Sequence, residues 1–486
     1  MIEREAQVAA PPVSNMNKRK YIGDRQFYRS VLTIALPIMI QNGVSNFVSL
    51  LDNLMIGQLN ENALSGVSVA NQLIFVFYLV IFGASAGAGI FTAQYHGKGD
   101  HEGVRATFRF KLVANFLLSS ICIVIFMLFS ESLISLFLKG EGKPENAAAI
   151  LEYGMEYMGI MLIGLIPFSI TQAYAGTLRD TGCTKAAMGA SVVAILVNLV
   201  GNAILIYGLL WFPPMGAAGA AIATVISRFV ELGVLVVYTQ KRKAKHPFIQ
   251  GAFRNFSLPW SQVRKFLLKS LPLMANETLW SLGVTTLNQC YSYRSLDSVA
   301  AINIEHTLWG LFGVAFLAMG EAVGIITGQI LGKGDIARAK DTSRKMRAFT
   351  VFLGASFGLL MLVAAPFYPL LYNASDEIRS MATKFIIVFA LTMPFGAYAH
   401  ASYFTIRCGG NTLITFLFDS CFTWVILVPA AYILSRFTNV GVVGMVCIVQ
   451  FLEAFKAGIG ACMVLSGIWA RNIVSEKKCV NGDGSI

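Results

Sequence analysis

Residues 89–100 read GIFTAQYHGKGD, and 235 positions later residues 324–335 read GIITGQILGKGD. Eight of the twelve positions match: Gly89/Gly324, Ile90/Ile325, Thr92/Thr327, Gln94/Gln329, Gly97/Gly332, Lys98/Lys333, Gly99/Gly334 and Asp100/Asp335. The same offset pairs Leu36-Pro37 with Leu271-Pro272, Met39 with Met274, and Arg109 with Arg344. The chain is therefore an internal duplication. On either side of these stretches the sequence breaks into twelve windows of about 20 apolar residues, from 31–54 to 440–468, each long enough to cross a bilayer. Six spans per half is an even number, so both halves enter the membrane from the same side. The repeat is then parallel, with its axis along the membrane normal.

Composition agrees. Of 486 residues 56% are hydrophobic and 13% charged, against about 25% charged in a soluble domain. That balance excludes a soluble enzyme. The net charge of +12 is unevenly placed. With a cytoplasmic N-terminus, the inside segments hold 30 Lys and Arg and the outside connections six. Such a split puts both termini in the cytoplasm. The expected organisation is a cytoplasmic tail (1–28), a six-helix lobe (29–240), a basic linker (241–265), a second six-helix lobe (266–470) and a cytoplasmic tail (471–486). The eight cysteines show no CxxC spacing and read as reduced structural thiols.

Several pieces together resemble the multidrug and toxic compound extrusion (MATE) transporter family. They are Pro37 followed by Asp52 in LLDNLMIGQL, the paired GKGD loops, TLRDTGCTK at 177–185 and GAAGAAIATVISR at 216–228. The likeness runs from about residue 25 to about 470. It implies an all-α integral membrane protein with twelve transmembrane helices, arranged as two six-helix bundles in a V around a central cavity. It also implies export of organic cations driven by inward Na⁺ or H⁺, in a multi-pass protein of the cell (inner) membrane.

The first span carries Gln41, Ser45, Ser49 and Asp52 at spacings of four, four and three, so they share one helical face. Polar groups facing lipid are costly, so this face lines a wet cavity or a helix contact. Asp52 lies in the outer half of span 1. Asn198 and Asn202 occupy the outer half of span 5, and Thr224 that of span 6. A carboxylate, two amide oxygens, a hydroxyl and the carbonyl of Ala220 compose an oxygen cage suited to a hard monovalent cation, Na⁺ or H⁺. The family resemblance carries its cation site onto the same four side chains.

Span 7 repeats the spacing with Glu277, Ser281, Thr285 and Asn288. Glu277, Ser281 and Trp280 join Gln41, Ser45 and Ser49 as candidate cavity residues, and Trp280 with Tyr403 and other aromatics offers stacking for a flat cation. Arg228 with Glu231 and Glu453 with Lys456 read as self-neutralised i, i+3 pairs near the cytoplasmic ends of spans 6 and 12. Glu305, His306, Glu321 and His400 have no assigned role. The GKGD loops lack the spacing and following Ser or Thr of a phosphate-binding loop, and read as tight turns whose Lys anchors at headgroups. With no catalytic motif and no nucleotide site, the expected function is a secondary active antiporter that exchanges small cationic organic compounds for inward Na⁺ or H⁺. It needs no cofactor beyond the ion, no nucleic acid and no second subunit. The alternative is a flippase for a lipid-linked or amphipathic substrate, disfavoured because the basic residues fall in loops rather than in the spans.

Overall fold

The apolar windows become long helices in the computed structural model, which describes residues 20–57, 61–138, 144–209, 211–254, 256–295 and 297–475. They are α1 (Arg25–Gly57), α2 (Glu61–Lys98), α3 (His101–Phe137), α4 (Pro144–Asp180), α5 (Thr184–Tyr207), α6 (Gly216–Lys241), α7 (Trp260–Ser292), α8 (Asp297–Gly332), α9 (Ile336–Ala364), α10 (Asp376–Cys408), α11 (Thr412–Phe437) and α12 (Val442–Leu465). No strand occurs among the described residues. Eleven of the twelve are long and apolar enough to cross a membrane. The twelfth, α7, has 33 residues but carries Asn276, Glu277, Asn288 and Gln289, and it survives in the bundle because neighbouring helices cover part of that polar face. Several helices outrun the apolar windows. At a rise of about 1.5 Å per residue, the 38 residues of α2 reach far beyond a hydrocarbon core of about 30 Å.

Helices α1–α6 form one lobe and α7–α12 the other. Within the lobes, α2 packs on α4 and α5 on α6, while α8 and α9 pack on α10. Between them the repeat is visible as an exchange: α2 packs on α7, and α8 packs on α1. The small-residue run GASAGAG makes the first of these contacts possible. A Cβ on Gly83 would overlap the Met274 backbone, and one on Gly87 would overlap Ser270. Ser270 Oγ donates to the Ala84 carbonyl at 2.9 Å.

The GKGD turns meet across the pseudo-twofold axis. Gly99 and Gly334 sit at φ of 80° and 83°, where L side chains are strained. Asp100 caps α3 by accepting from Gly103 N at 2.8 Å, and Asp335 caps α9 by accepting from Arg338 N at 2.9 Å. The first glycine of each turn serves the other repeat. A Cβ on Gly97 would run into the Gln329 carbonyl, and one on Gly332 into the Gln94 carbonyl. The lobes are thus the arms of a V whose closed end carries the GKGD turns.

Two segments outside the spans are docked rather than loose. In the linker, Phe248, Ile249 and Ala252 join the apolar core under α3 and α4, and Arg109 donates to the carbonyls of Ala252 (2.8 Å) and Gly251 (2.7 Å). Beyond α12, residues 467–475 cross the closed end as a strap. Gln94 Nε2 donates to the carbonyls of Cys408 (2.9 Å) and Arg471 (3.2 Å), and its Oε1 accepts from Ile473 N at 2.8 Å. Lys98 reaches the Val474 carbonyl at 3.2 Å, where the sequence suggested a headgroup anchor; Lys333 is exposed. Asn472 donates to the Gly332 carbonyl at 3.3 Å.

Candidate functional site

The five residues expected to hold a cation converge from three helices. Asn202 Nδ2 on α5 donates to Asp52 Oδ1 on α1 at 2.6 Å and lies 3.4 Å from Asn198 Oδ1. Asn198 Nδ2 donates to Thr224 Oγ1 on α6 at 3.0 Å, and that hydroxyl donates to the Ala220 carbonyl at 2.9 Å. Asn198 and Asn202 are one helical turn apart, so both reach the same gap. The group ends in an orphan: Asn202 Oδ1 is buried and has no hydrogen-bond partner. A buried acceptor without a donor is an exception that a cation or ordered water would remove.

Beside this group runs a polar chain. Gln41 Nε2 donates to Ser191 Oγ at 2.7 Å, and Ser191 Oγ donates to Glu231 Oε1 at 2.6 Å. Glu231 lies 3.9 Å from Arg228, whose guanidinium sits over the rings of Phe168 and Tyr78. The pair read as self-contained is therefore one link in a chain from α1 to α6. Of the remaining candidates on α1, Ser45 is exposed, and the Ser49 side chain lies outside the described residues.

The second lobe repeats this chain with different chemistry. Asn276 stands 235 positions after Gln41, and its Nδ2 donates to Asp419 Oδ2 at 3.0 Å. Asp419 Oδ1 accepts from Lys456 Nζ at 2.5 Å, closer than the 3.6 Å between Lys456 and Glu453. Lys456 is therefore bound mainly to α11, not to its own helix. Asp419 lies in a π-helical stretch, Leu417–Cys421. Such stretches widen the turn and recur at functional sites. Glu277 accepts from Tyr403 Oη at 3.3 Å, while Ser281 is half-buried and Trp280 exposed. Glu305 is fully buried in α8 with neither oxygen hydrogen-bonded, and His306 Nε2 stands 3.7 Å away.

Between the lobes, toward the closed end, lies a cavity of about 90 Å³. Its wall holds five charged side chains: Lys111, Arg179 and Asp180 from the first lobe, Glu321 and Arg407 from the second. None of the six residues expected to line a cavity is among them. Lys111 Nζ donates to Asp180 Oδ2 at 2.7 Å with its side chain wholly buried, and Arg179 lies 4.0 Å from Glu321 across the lobes. Lys111, Arg179 and Arg407 lie at or beyond the ends of the apolar windows and read in the sequence as loop charges. The structure turns them inward, because α3, α4 and α10 continue as helix past the apolar windows. The motif TLRDTGCTK and its counterpart TIRCGGNTL at 405–413, which align Arg179 with Arg407 and the left-handed Gly182 with Gly410, carried a signal for this site.

The chain matches the MatE family over residues 37–204 and 272–433, one segment per lobe. It is 23% identical over 458 residues to "Probable multidrug resistance protein NorM" of Thermotoga maritima, covering 93% of this chain and 95% of that one. It is 24% identical to "Probable multidrug resistance protein YoeA" of Bacillus subtilis, covering 86% and 89%. Among solved structures, a multidrug resistance MATE family transporter of the MOP superfamily in an outward-facing conformation superposes with a TM-score of 0.81 at 20% identity, over 92% of this chain and 97% of that one. A MATE protein in its bent conformation gives 0.79 at 19% identity, over 91% and 96%. With both halves of its duplication matched, each lobe by its own segment, this chain belongs to the MatE family of membrane transporters and is not an enzyme.

Proposed function

We propose that this protein is a secondary active antiporter that exports small cationic organic compounds in exchange for inward Na⁺ or H⁺, by alternating access. It works as a monomer in the cell membrane with both termini in the cytoplasm. The observation that carries the reading is the convergence of Asp52 with Asn198, Asn202, Thr224 and the Ala220 carbonyl, which leaves the Asn202 oxygen without a donor. A carboxylate in that company can hold a proton covalently or a sodium ion by coordination. Arrival of the ion breaks the Asp52 to Asn202 hydrogen bond, repacks α1 against α5, and through the contact of α1 with α8 changes how the lobes meet. The names of the multidrug resistance relatives support an organic cargo, and the excess of basic residues in one set of loops supports the orientation.

The test is uptake of a fluorescent organic cation into inside-out vesicles under an imposed Na⁺ or pH gradient. Asp52→Asn, expressed at the normal level, should abolish gradient-driven transport; ion-dependent transport at the wild-type rate would overturn the assignment. The flippase reading gains one specific observation, since Lys111, Arg179 and Arg407 bring to the cavity the basic charge that the loops were thought to keep. Asp180 and Glu321 offset two of those charges, so antiport remains the better reading.

A further inference from the structure

The duplication supplies the cavity with two arginines at equivalent positions, Arg179 and Arg407, but the wall sets an acid against only one of them. Arg179 meets Glu321 across the lobes. The repeat mate of Glu321, 235 positions earlier, is Ala86, which also lines the cavity. No ion pair to Arg407 is present among the described residues. Arg407 is 92% buried by its 8% exposure, and its Nη1 is enclosed without a hydrogen-bond partner. Three rings surround the guanidinium: Phe404 at 5.0 Å, Phe82 of the other lobe at 5.6 Å and Tyr403 at 5.9 Å. Ring faces attract a cation, but they do not replace the hydrogen bonds it gave to water. Glu277 accepts from the Tyr403 hydroxyl at 3.3 Å and faces the guanidinium's charge from behind that ring, but makes no ion pair with it, and Nη1 stays unpartnered. The cavity wall itself carries three cations against two acids, and Arg407, the cation without a direct ion pair, is a planar fork suited to two oxygens at once.

We propose that Arg407 anchors an oxyanion, a carboxylate or phosphate, borne by the exported compound, while Glu321 and Asp180 face its cationic part. This rests on the export reading above and adds the class of cargo: compounds carrying both signs, held at one end in a cavity of headgroup size. The cavity of about 90 Å³ accommodates the charged end of such a compound, and the lobes part to admit the rest.

Binding is the informative measurement, because it needs no ion gradient. Rhodamine 110 carries a free carboxylate and rhodamine 123 is its methyl ester, so fluorescence polarisation with purified protein in neutral-lipid nanodiscs isolates the oxyanion. The free acid should bind at least ten-fold more tightly than the ester, Arg407→Gln should erase that preference, and Arg407→Lys should keep part of it. Equal binding of acid and ester to the wild type, or a preference unchanged in a monodisperse Arg407→Gln protein, overturns the proposal. Adding phosphatidylglycerol to the nanodisc separates the two sources of oxyanion. Competition that depends on Arg407 supports a lipid phosphate at the same anchor, and unaltered dye affinity supports the soluble compound. Loss of gradient-driven transport with the acid preference intact would count against antiport alone.

Discussion

Lys456 is a buried cation of the second lobe held by an acid from another helix. It is 5% accessible, and its ammonium is held by Asp419 at 2.5 Å, with Glu453 at 3.6 Å as a weaker partner. Removing one member of a buried pair strands the other, at a cost of about 3–5 kcal/mol. Asp419→Ala should therefore lower the thermal midpoint in detergent sharply, whereas Asp419→Leu combined with Lys456→Met should recover most of the loss; a double variant as unstable as the single one would mean that the pair does more than neutralise itself. The residues that were legible in the sequence differ physically from those that were not. Asp52, Asn198, Asn202 and Thr224 lie within the apolar windows, where a polar side chain is conspicuous and its depth can be counted. Arg407 and Lys111 lie at the ends of such windows, where a cation passes for a loop residue. Asp419 became visible only through Lys456 on another helix, a contact between residues 37 apart.

At the scale of elements, the linker between the lobes behaves as part of the first lobe. His246 is buried there with Nε2 unpartnered, and burial, with Arg242 and Lys245 alongside, holds its imidazole below the ordinary value of 6.5. The neutral form is the docked form. An unfolded or undocked linker takes up a proton more readily, so the docking is strongest above pH 6.5 and weakens as the pH falls through and below it. The hydrogen-exchange protection factors of residues 246–252, which divide out the intrinsic rate at each pH, should fall on acidification, and His246→Phe should remove that fall. The duplication and the helix count could be read from the sequence because period and hydrophobicity are local properties. Docking of the linker could not, since it depends on Phe248 and Ile249 meeting Phe108 and Tyr174, which are distant in the chain. The π-helical stretch of α11 had no signature in composition either.

For the whole molecule, closure rests on how near the two GKGD turns can come. Gly97 and Gly332 let each backbone approach the carbonyl of the opposing glutamine, and any Cβ there forces the turns apart. Gly97→Ala should shift the population toward a form opened at this end. Cys408, buried and facing the cavity, reports on it: maleimide labelling of Cys408, followed by mass spectrometry, should be slow in the wild type and several-fold faster in the variant. An unchanged rate would show that the lobes separate elsewhere. Two parallel sets of six spans were readable from the sequence, and the V was implied by the family resemblance. Which end is shut was not, because that depends on backbone approaching backbone, and a glycine in the sequence does not say what comes close to it.

The strap of residues 467–475 has a temporal meaning. Ribosomes make it after all twelve helices of the two lobes, yet Gln94, its main partner, belongs to the second helix and has been in place since early in translation. Assembly must therefore pass through an intermediate in which both bundles are inserted while the bolt across their junction is still missing. The same few hydrogen bonds that tie the strap across the closed end are thus among the last to form.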